Sequence, residues 1–339
     1  PEPASILSAS AGDRAEGQAL NIEGENLQAR KPVLETRARI IRAIRGFFDE
    51  RGFLEVETPV RIPAPPPEVH IDAEPSGKAY LRASPELHMK RLLAAGYPCI
   101  YQIGPCFRRG ERGRYHNPEY TMLEWYRANA RYSDILLDTK ALLQETARRV
   151  LGKTEFSYQG RTISLDRWER ITVSQAFIQF AGWDPAVQFD ADRFDLDMVD
   201  KVEPALPAQV PVILSDYPVE AAALSRPSQE NPRVAERWEL YVAGIELANA
   251  YTELTDAQEQ ELRFTQWNRQ RQALGKEAYP MDQAFLDALR KGMPPSSRAR
   301  PSGEPAERKA TALIRPPSAP PRMQLTCPSP TTRACKIRA

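Results

Sequence analysis

Five arginines lie close together between Cys106 and Arg127, around a short polar loop. A guanidinium group can pair with two phosphate oxygens at once, so such a cluster suits a polyphosphate ligand. In the segment after the loop, Met122, Glu124 and Tyr126 share one face of a predicted strand. A carboxylate beside a phenol can bind an amine. The alternative is a solvated, arginine-rich hairpin without a ligand. The arginines are Arg108, Arg109, Arg112, Arg114 and Arg127.

A second group of candidate ligands follows Gly244. Glu246, Asn249 and Glu253 carry oxygen atoms of the kind that Mg²⁺ accepts, especially when the ion also binds substrate phosphates. Strand alternation places Asn249 and Glu253 on one face and Glu246 on the other. Only an irregularity around residues 248–250 would bring both glutamates to one site. The alternative is an ordinary edge strand with exposed acids.

The elements that must position these residues follow from hydrophobic periodicity and from start and stop signals. Because the predicted strands are mostly sequential, we expect an α+β fold with an antiparallel sheet flanked by helices. The predicted elements are a helix over residues 34–50, a strand over 53–60, a helix from Ser84-Pro85-Glu86 to Gly96, strands over 99–107 and 120–127 joined by the loop 108–119, a helix over 134–151, a strand over 238–254 and a helix over 257–274.

Four segments, in the expected order, resemble the class II lysyl-tRNA synthetase family. Residues 37–59 are similar to motif 1, the dimer-forming helix and strand that ends in a proline. Phe107-Arg108 and the later Arg-Tyr-His-Asn-Pro-Glu-Tyr-Thr-Met-Leu-Glu-Trp-Tyr are similar to motif 2. Ser84-Pro85-Glu86-Leu-His-Met-Lys-Arg resembles the substrate helix, and Gly-Ile-Glu-Leu-Ala-Asn-Ala-Tyr-Thr-Glu-Leu resembles the metal and amino-acid strand. The resemblance covers residues 34–297 and is strongest to the short ligases that attach (R)-β-lysine to elongation factor P.

The resemblance implies a class II synthetase catalytic fold, an ATP-dependent ligase activity and a role for each matching residue. Arg108 would contact the α-phosphate as the catalytic residue. The implied ATP pocket comprises Arg108, Arg109, Gly110, Glu111, His116, Asn117, Glu246 and Leu247. The implied amino-acid site comprises Ser84, Pro85, Glu86, Glu124, Tyr126 and Glu253, and the implied Mg²⁺ ligands are Glu246, Asn249 and Glu253. Relatives often read Arg-Asn-Glu in motif 2 where this chain has Arg108-Arg109-Gly110-Glu111, so Glu111 would act one position later.

The implied substrates are lysine or β-lysine and ATP with Mg²⁺, and the acceptor depends on what precedes motif 1. Full lysyl-tRNA synthetases carry an N-terminal anticodon-binding barrel. Here only 33 residues precede residue 34, and a domain of fewer than roughly 40 residues seldom folds without a disulfide, a metal ion or a partner. We therefore expect elongation factor P rather than tRNA as acceptor, with tRNA aminoacylation and a non-catalytic regulatory paralogue as alternatives. Relatives form homodimers.

The two ends of the chain differ in composition from the 264-residue middle part (residues 34–297). Residues 1–33 show little apolar periodicity, which predicts a mobile lead-in. Residues 298–339 contain eight prolines and no aromatic residue, which predicts a disordered tail. The family's motif 3, a central strand and a helix, is missing there, and a reading-frame shift after Ser297 would explain the abrupt end of the match. We therefore expect weak activity or none. A natural nucleic-acid-binding tail is the alternative.

Charge and hydropathy exclude other classes of protein. The net charge is +1, but residues 294–339 carry nine basic and two acidic residues, so the remainder is acidic. That balance argues against a dedicated nucleic-acid-binding domain. The sequence contains no run of 18 apolar residues, so it predicts no membrane-spanning helix. We expect a cytoplasmic protein.

Overall fold

The computed structural model of the protein describes residues 11–113, 116–293 and 333–338. Its helices are α1 (Ala11–Asp49), α2 (Glu86–Ala94), α3 (Tyr132–Leu151), α4 (Val173–Ala181), α5 (Ala191–Asp197), α6 (Ala257–Ala273) and α7 (Gln283–Gly292). Its strands are β1 (Leu54–Glu55), β2 (Arg61–Ile62), β3 (Glu74–Ser76), β4 (Ala79–Leu81), β5 (Cys99–Phe107), β6 (Glu119–Arg127), β7 (Glu155–Tyr158), β8 (Arg161–Ser164), β9 (Glu169–Thr172), β10 (Val212–Pro218), β11 (Val234–Val242), β12 (Ile245–Thr252) and β13 (Arg333–Arg338).

Eight of these strands form one sheet in the order β1-β5-β6-β13-β12-β11-β10-β9. The pairs β1·β5 and β9·β10 are parallel, and the five pairs between β5 and β10 are antiparallel. The α+β prediction with a mainly antiparallel sheet is therefore confirmed. The predicted strand over residues 99–107 has the observed bounds of β5, and β6, α3 and α6 begin and end within two residues of their predicted limits.

The two faces of the sheet have opposite character because successive residues of a strand point to opposite sides. On one face Leu123, Trp125, Trp238 and Leu240 form a buried core with Phe48 of α1 and with α3. On the other face, the same strands carry polar residues, among them Glu124, Glu239 and Asn249. Helices α2, α6 and α7 pack at this second face around a smaller core. The polar face is therefore where the predicted site residues collect.

The predicted mobile lead-in over residues 1–33 differs from the structure where the structure describes it. Helix α1 begins at Ala11, well before the expected start at residue 34, and it contains Pro32. Alanine, glutamate, glutamine and arginine are frequent in this segment and favour helix, so local propensity produced a helix without an apolar stripe. Residues 1–10 lie outside the described residues.

The predicted single strand over residues 238–254 is in fact an antiparallel hairpin. Strands β11 and β12 are joined by Ala243 and Gly244, whose φ angles are +54° and +75°. Positive φ at both central residues is the geometry of the tightest hairpin turns, which Gly244 adopts without strain. Alternation of apolar residues continues through such a turn, which explains why the pattern resembled one long strand.

Strand β13 corrects the prediction of a disordered tail for residues 333–338. It pairs with β6 on one side and β12 on the other, in the central position that we expected to be vacant. Unpaired backbone N–H and C=O groups on two facing edges bind an extended segment whatever its side chains are, which explains how a segment of unremarkable composition forms a strand. Residues 294–332 lie outside the described residues, so the remainder of that prediction stays untested.

Within the part of the chain that the structure describes, no helix is long and apolar enough to cross a membrane.

Candidate active site

A buried ion-pair cluster lies where α2 meets the end of β12. The Lys90 ammonium contacts the Glu86 carboxylate at 2.7 Å and also contacts the Glu253 carboxylate. The Tyr251 hydroxyl donates a hydrogen bond to Glu86. The four side chains are almost completely buried. Helix α2 supplies Glu86 and Lys90 from adjacent turns, because residues four apart face the same side of a helix.

A third buried carboxylate, that of Glu124, lies beside this cluster on β6. It accepts hydrogen bonds from the Ser84 hydroxyl at 2.9 Å and from the Tyr126 hydroxyl at 2.6 Å. Ser84 also accepts the Glu86 backbone N–H at 3.1 Å. Pro85 stands at the N-cap of α2 and fixes the turn that presents Glu86. Ser84 therefore connects the start of α2, at Glu86, with the Glu124 carboxylate.

Electrostatics show that these groups form one site, which we call the amine cluster: Ser84, Glu86, Lys90, Glu124, Tyr126, Tyr251 and Glu253. Burial and the charges of Glu124, Glu86 and Glu253 hold the pKa of Tyr126 well above its usual value. Burial opposes the charge of Lys90, but Glu253 and Glu86 outweigh it and raise the pKa of that ammonium. The cluster thus holds three carboxylates and one ammonium. All six residues predicted for the amino-acid site lie here, with Pro85 at its border.

The arginine loop, residues 108–118, connects β5 to β6, and the structure describes its residues 108–113 and 116–118. It lies toward the start of β12, next to Glu246, whereas the amine cluster lies toward the end of that strand. Arg108 is 7% exposed, and its guanidinium lies 3.3 Å from the Glu111 carboxylate and over the Tyr120 ring. Its Nε is buried and has no hydrogen-bond partner among the described residues. A buried guanidinium with an unused N–H can bind an anion, so Arg108 fits the predicted contact to a phosphate.

The other predicted ATP residues lie along the same loop. Gly110 has a φ of +77°, which turns the chain directly after Arg109. His116 and Asn117 are exposed, and His116 exchanges backbone hydrogen bonds with Gly113. The structure thus brings Arg108, Gly110 and Glu111 together and leaves His116 and Asn117 at the solvent-exposed part of the loop. Arg114 lies outside the described residues.

The second predicted group is reorganised by a bulge in β12. Glu246 pairs with Tyr241 and Ala248 pairs with Leu240, so Leu247 is an extra residue between them. The bulge puts Glu246 on the same face as Asn249, one position earlier than the irregularity that the prediction required. The Leu247 side chain packs into the core on the opposite face, so only its backbone could reach the predicted ATP site.

The three predicted Mg²⁺ ligands do not converge. A rise of about 3.3 Å per residue separates Glu246 from Glu253 by about 20 Å along the chain, and Glu253 contacts Lys90. Among the described residues, no three His, Cys, Asp or Glu side chains are arranged around a position for a metal ion. Glu246 and Asn249 remain as a pair, and the Asn249 Oδ1 is buried without a hydrogen-bond partner among the described residues. A pair of oxygen ligands fits Mg²⁺ that also binds substrate phosphates.

Sequence reasoning missed three residues at or beside the site, namely Lys90, Tyr251 and Glu239. Lys90 lies four positions after Glu86, a spacing that could have indicated the ion pair. Glu239 lies opposite Asn249 and is bound by Arg237 at 2.5 Å and by the hydroxyls of Tyr217 and Tyr241 at 2.5 and 2.9 Å. An acid between the apolar residues Trp238 and Leu240 was the signal for Glu239.

Comparison with known proteins gives consistent matches. Residues 15–298 match the model of a family described as tRNA synthetases class II (D, K and N). Two proteins named elongation factor P–(R)-β-lysine ligase are similar. The one from Proteus mirabilis (strain HI4320) is 39% identical over 293 residues, covering 77% of this chain and 85% of that protein. The one from Hamiltonella defensa subsp. Acyrthosiphon pisum (strain 5AT) is 40% identical over 298 residues, covering 81% and 90%.

A lysine–tRNA ligase from Carboxydothermus hydrogenoformans (strain ATCC BAA-161 / DSM 6008 / Z-2901) is 39% identical over 288 residues, covering 77% of this chain. The match spans 58% of that longer protein.

Proposed function

Because the chain belongs to the class II tRNA synthetase family, we propose that it activates lysine or β-lysine with ATP and transfers it to a lysine side chain of elongation factor P. Similarity to two elongation factor P–(R)-β-lysine ligases along 85% and 90% of their length supports this acceptor. Both the acceptor and tRNA serve translation, which implies a cytoplasmic location. Aminoacylation of tRNA is the second candidate, supported by the 39% identity to a lysine–tRNA ligase.

The observation that carries the proposal is the charge of the amine cluster. Glu86, Glu124 and Glu253 are at most 1% exposed, and Lys90 is the ammonium that contacts two of them. Buried carboxylates bind an ammonium group through charge-assisted hydrogen bonds. Lysine and β-lysine each bring two ammonium groups. We infer that Glu86 binds the substrate ammonium that is nearer to the substrate carboxylate. Glu124 and Tyr126 bind the ammonium at the far end of the substrate side chain.

The nucleotide end of the site is the arginine loop together with Glu246 and Asn249. Arg108 would contact the α-phosphate through its unused N–H, and Glu111 keeps that guanidinium in place at 3.3 Å. Glu246 and Asn249 would hold Mg²⁺, which when bound neutralises charge on the phosphates. Glu253 belongs to the amine cluster in this proposal and does not bind the ion.

The reaction follows from these contacts. A carboxylate oxygen of the bound amino acid attacks the α-phosphorus, the bond to the bridging oxygen breaks and pyrophosphate leaves. The carboxylate is ionised at neutral pH, so the step needs no general base. Positioning of the two reactants and the charge of Arg108 lower the barrier. The acceptor amine then attacks the carbonyl carbon of the adenylate, loses a proton and releases AMP.

The test is pyrophosphate exchange followed by transfer. Exchange of labelled pyrophosphate into ATP that depends on lysine or β-lysine establishes activation, and labelled amino acid on elongation factor P rather than tRNA establishes the acceptor. We expect slow exchange, since the resemblance ends at Ser297 before motif 3. A chain that binds neither ATP nor lysine would refute the proposal. Binding of both without exchange would favour the regulatory paralogue.

A further inference from the structure

We propose that Arg271, a residue of α6, is a positioning residue for the arginine loop and thereby sets the affinity for ATP. The inference rests on the proposed function in one respect only, namely that the loop binds ATP. Nothing in the sequence around Arg271 points to the loop, because three of its four hydrogen-bond acceptors lie about 200 positions earlier in the chain.

Three of the four hydrogen bonds of the Arg271 guanidinium go to one irregular segment. It is 1% exposed and donates hydrogen bonds to the backbone carbonyls of Glu68 at 2.8 Å and Ile71 at 3.0 Å, and to the Asp72 carboxylate at 2.8 Å. Its Nε donates to the Glu277 carbonyl at 2.8 Å. Burying a guanidinium is expensive unless all of its donors are satisfied, and here each nitrogen has an acceptor.

Neighbours of Arg271 hold the same segment, residues 68–73. The Lys276 ammonium contacts the second oxygen of Asp72 at 3.1 Å and the Val69 carbonyl at 3.2 Å. Tyr279 stacks under Arg271, and its hydroxyl accepts the Ala73 backbone N–H at 2.8 Å. A segment between two short strands, with no regular backbone hydrogen bonding of its own, is thus fixed from the side of α6.

The segment in turn interacts with the arginine loop through one backbone hydrogen bond and through the charge of Glu68. The Asp72 carbonyl accepts the backbone N–H of Arg109 at 2.7 Å, directly beside Arg108. Burial opposes the charge of Arg108, but Tyr120, Glu111 and Glu68 outweigh it and raise the pKa of its guanidinium. Arg271 therefore holds both residues that act on the loop. It binds the carboxylate of Asp72, whose carbonyl anchors Arg109, and it binds the backbone of Glu68, whose charge acts on Arg108. Loss of these contacts would release the loop where the phosphates bind.

The test compares ATP binding with lysine binding, each measured by equilibrium dialysis of the labelled ligand on the full chain with Mg²⁺. Arg271→Met should weaken ATP binding about tenfold or more, the effect of one lost charge-assisted hydrogen bond. Lysine binding should change less than about twofold, because the hydrogen bonds of Arg271 go to residues 68–72 and to Glu277. Arg271→Lys keeps the charge beside Asp72 and should restore part of the affinity.

The control is Arg290→Met, which removes an exposed arginine of α7 that pairs with Glu261 and Asp287. Both of its affinities should equal those of the wild type. If Arg271→Met does not fold, Asp72→Asn provides the same test, since it removes the charged acceptor and keeps the shape and the backbone carbonyl; its ATP affinity should fall several-fold.

Equal loss of ATP and lysine affinity, or unchanged ATP affinity in a folded Arg271→Met or Asp72→Asn chain, would overturn the positioning role. The two hypotheses fail in different ways. A wild-type chain that binds ATP without catalysing exchange contradicts the proposed function only. Normal exchange by a folded Arg271→Met variant at limiting ATP contradicts the positioning role only.

Discussion

Replacing Glu124 by glutamine should separate a substrate site from a structural ion pair. In the wild type, Glu124 is 0% exposed and accepts hydrogen bonds from Ser84 and Tyr126. Glutamine keeps the shape but removes the charge, and its amide group faces a hydroxyl that must turn to accept. One charge-assisted interaction with the substrate ammonium is worth about 1.5–3 kcal/mol. We expect kcat/KM for lysine, or lysine affinity where turnover is too slow, to fall about 10²-fold.

The same substitution should leave thermal stability unchanged or raise it. Three carboxylates share the amine cluster with Lys90, so removal of one negative charge relieves repulsion. Glu239→Gln is the matched control, because Glu239 is also a buried glutamate bound by two tyrosine hydroxyls, but Arg237 neutralises it. That control should lower Tm, since a buried guanidinium loses its partner.

Lysine-dependent pyrophosphate exchange and equilibrium dialysis measure the first effect, and thermal unfolding measures the second. Unchanged lysine affinity in Glu124→Gln would refute the assignment of Glu124 to the substrate. A fall in Tm as large as that of Glu239→Gln would show that the charge of Glu124 serves the fold.

Three other outcomes are expected. Lys90→Met should lower the free energy of unfolding by about 3–5 kcal/mol in urea titrations, since it leaves two buried carboxylates without their shared cation; an unchanged midpoint would contradict the ion-pair geometry. Burial opposes ionisation of Asp72, but hydrogen bonds from Arg271 and Lys276 lower its pKa below 3.8. Its stabilisation is therefore present above 3.8 and lost as pH falls through the folded-state pKa. The difference in unfolding free energy between wild type and Asp72→Asn should therefore narrow as pH falls below 3.8; a constant difference would contradict this. Residues 37–59 should mediate a homodimer, which sedimentation at micromolar concentration detects. Leu54→Glu changes an exposed leucine on edge strand β1 and should dissociate the dimer; a monomeric wild type would count against the interface.

Local patterns predicted several of the elements, and the resemblance named residues that the structure brings together in the amine cluster. Strand β5 was predictable because its apolar run ends at a polar loop, and α6 because Asp256 caps its first turn. The hairpin of β11 and β12 was not, since positive φ at Ala243 leaves no trace in an apolar alternation. The early start of α1 was missed because propensity without periodicity is a weak signal.

Contacts between distant parts of the chain account for the other differences. The bulge at Leu247 decides which face Glu246 occupies, and it is defined by pairing with β11 rather than by the sequence of β12. The environment of Arg271 depends on a segment about 200 positions away. Neither the bulge nor the environment of Arg271 can be predicted from neighbouring residues along the chain.

The position of β13 has a consequence for synthesis of the protein. Strand β13 lies between β6 and β12, and it follows all the other elements that the structure describes along the chain. A nascent chain can therefore form two half-sheets, β1-β5-β6 and β12-β11-β10-β9, that join only after residues 333–338 have left the ribosome. Until then β6 and β12 each have an open edge that can pair with another chain. Glu124 lies on one half-sheet and Glu253 at the end of the other, so the amine cluster is the last part of the enzyme to assemble.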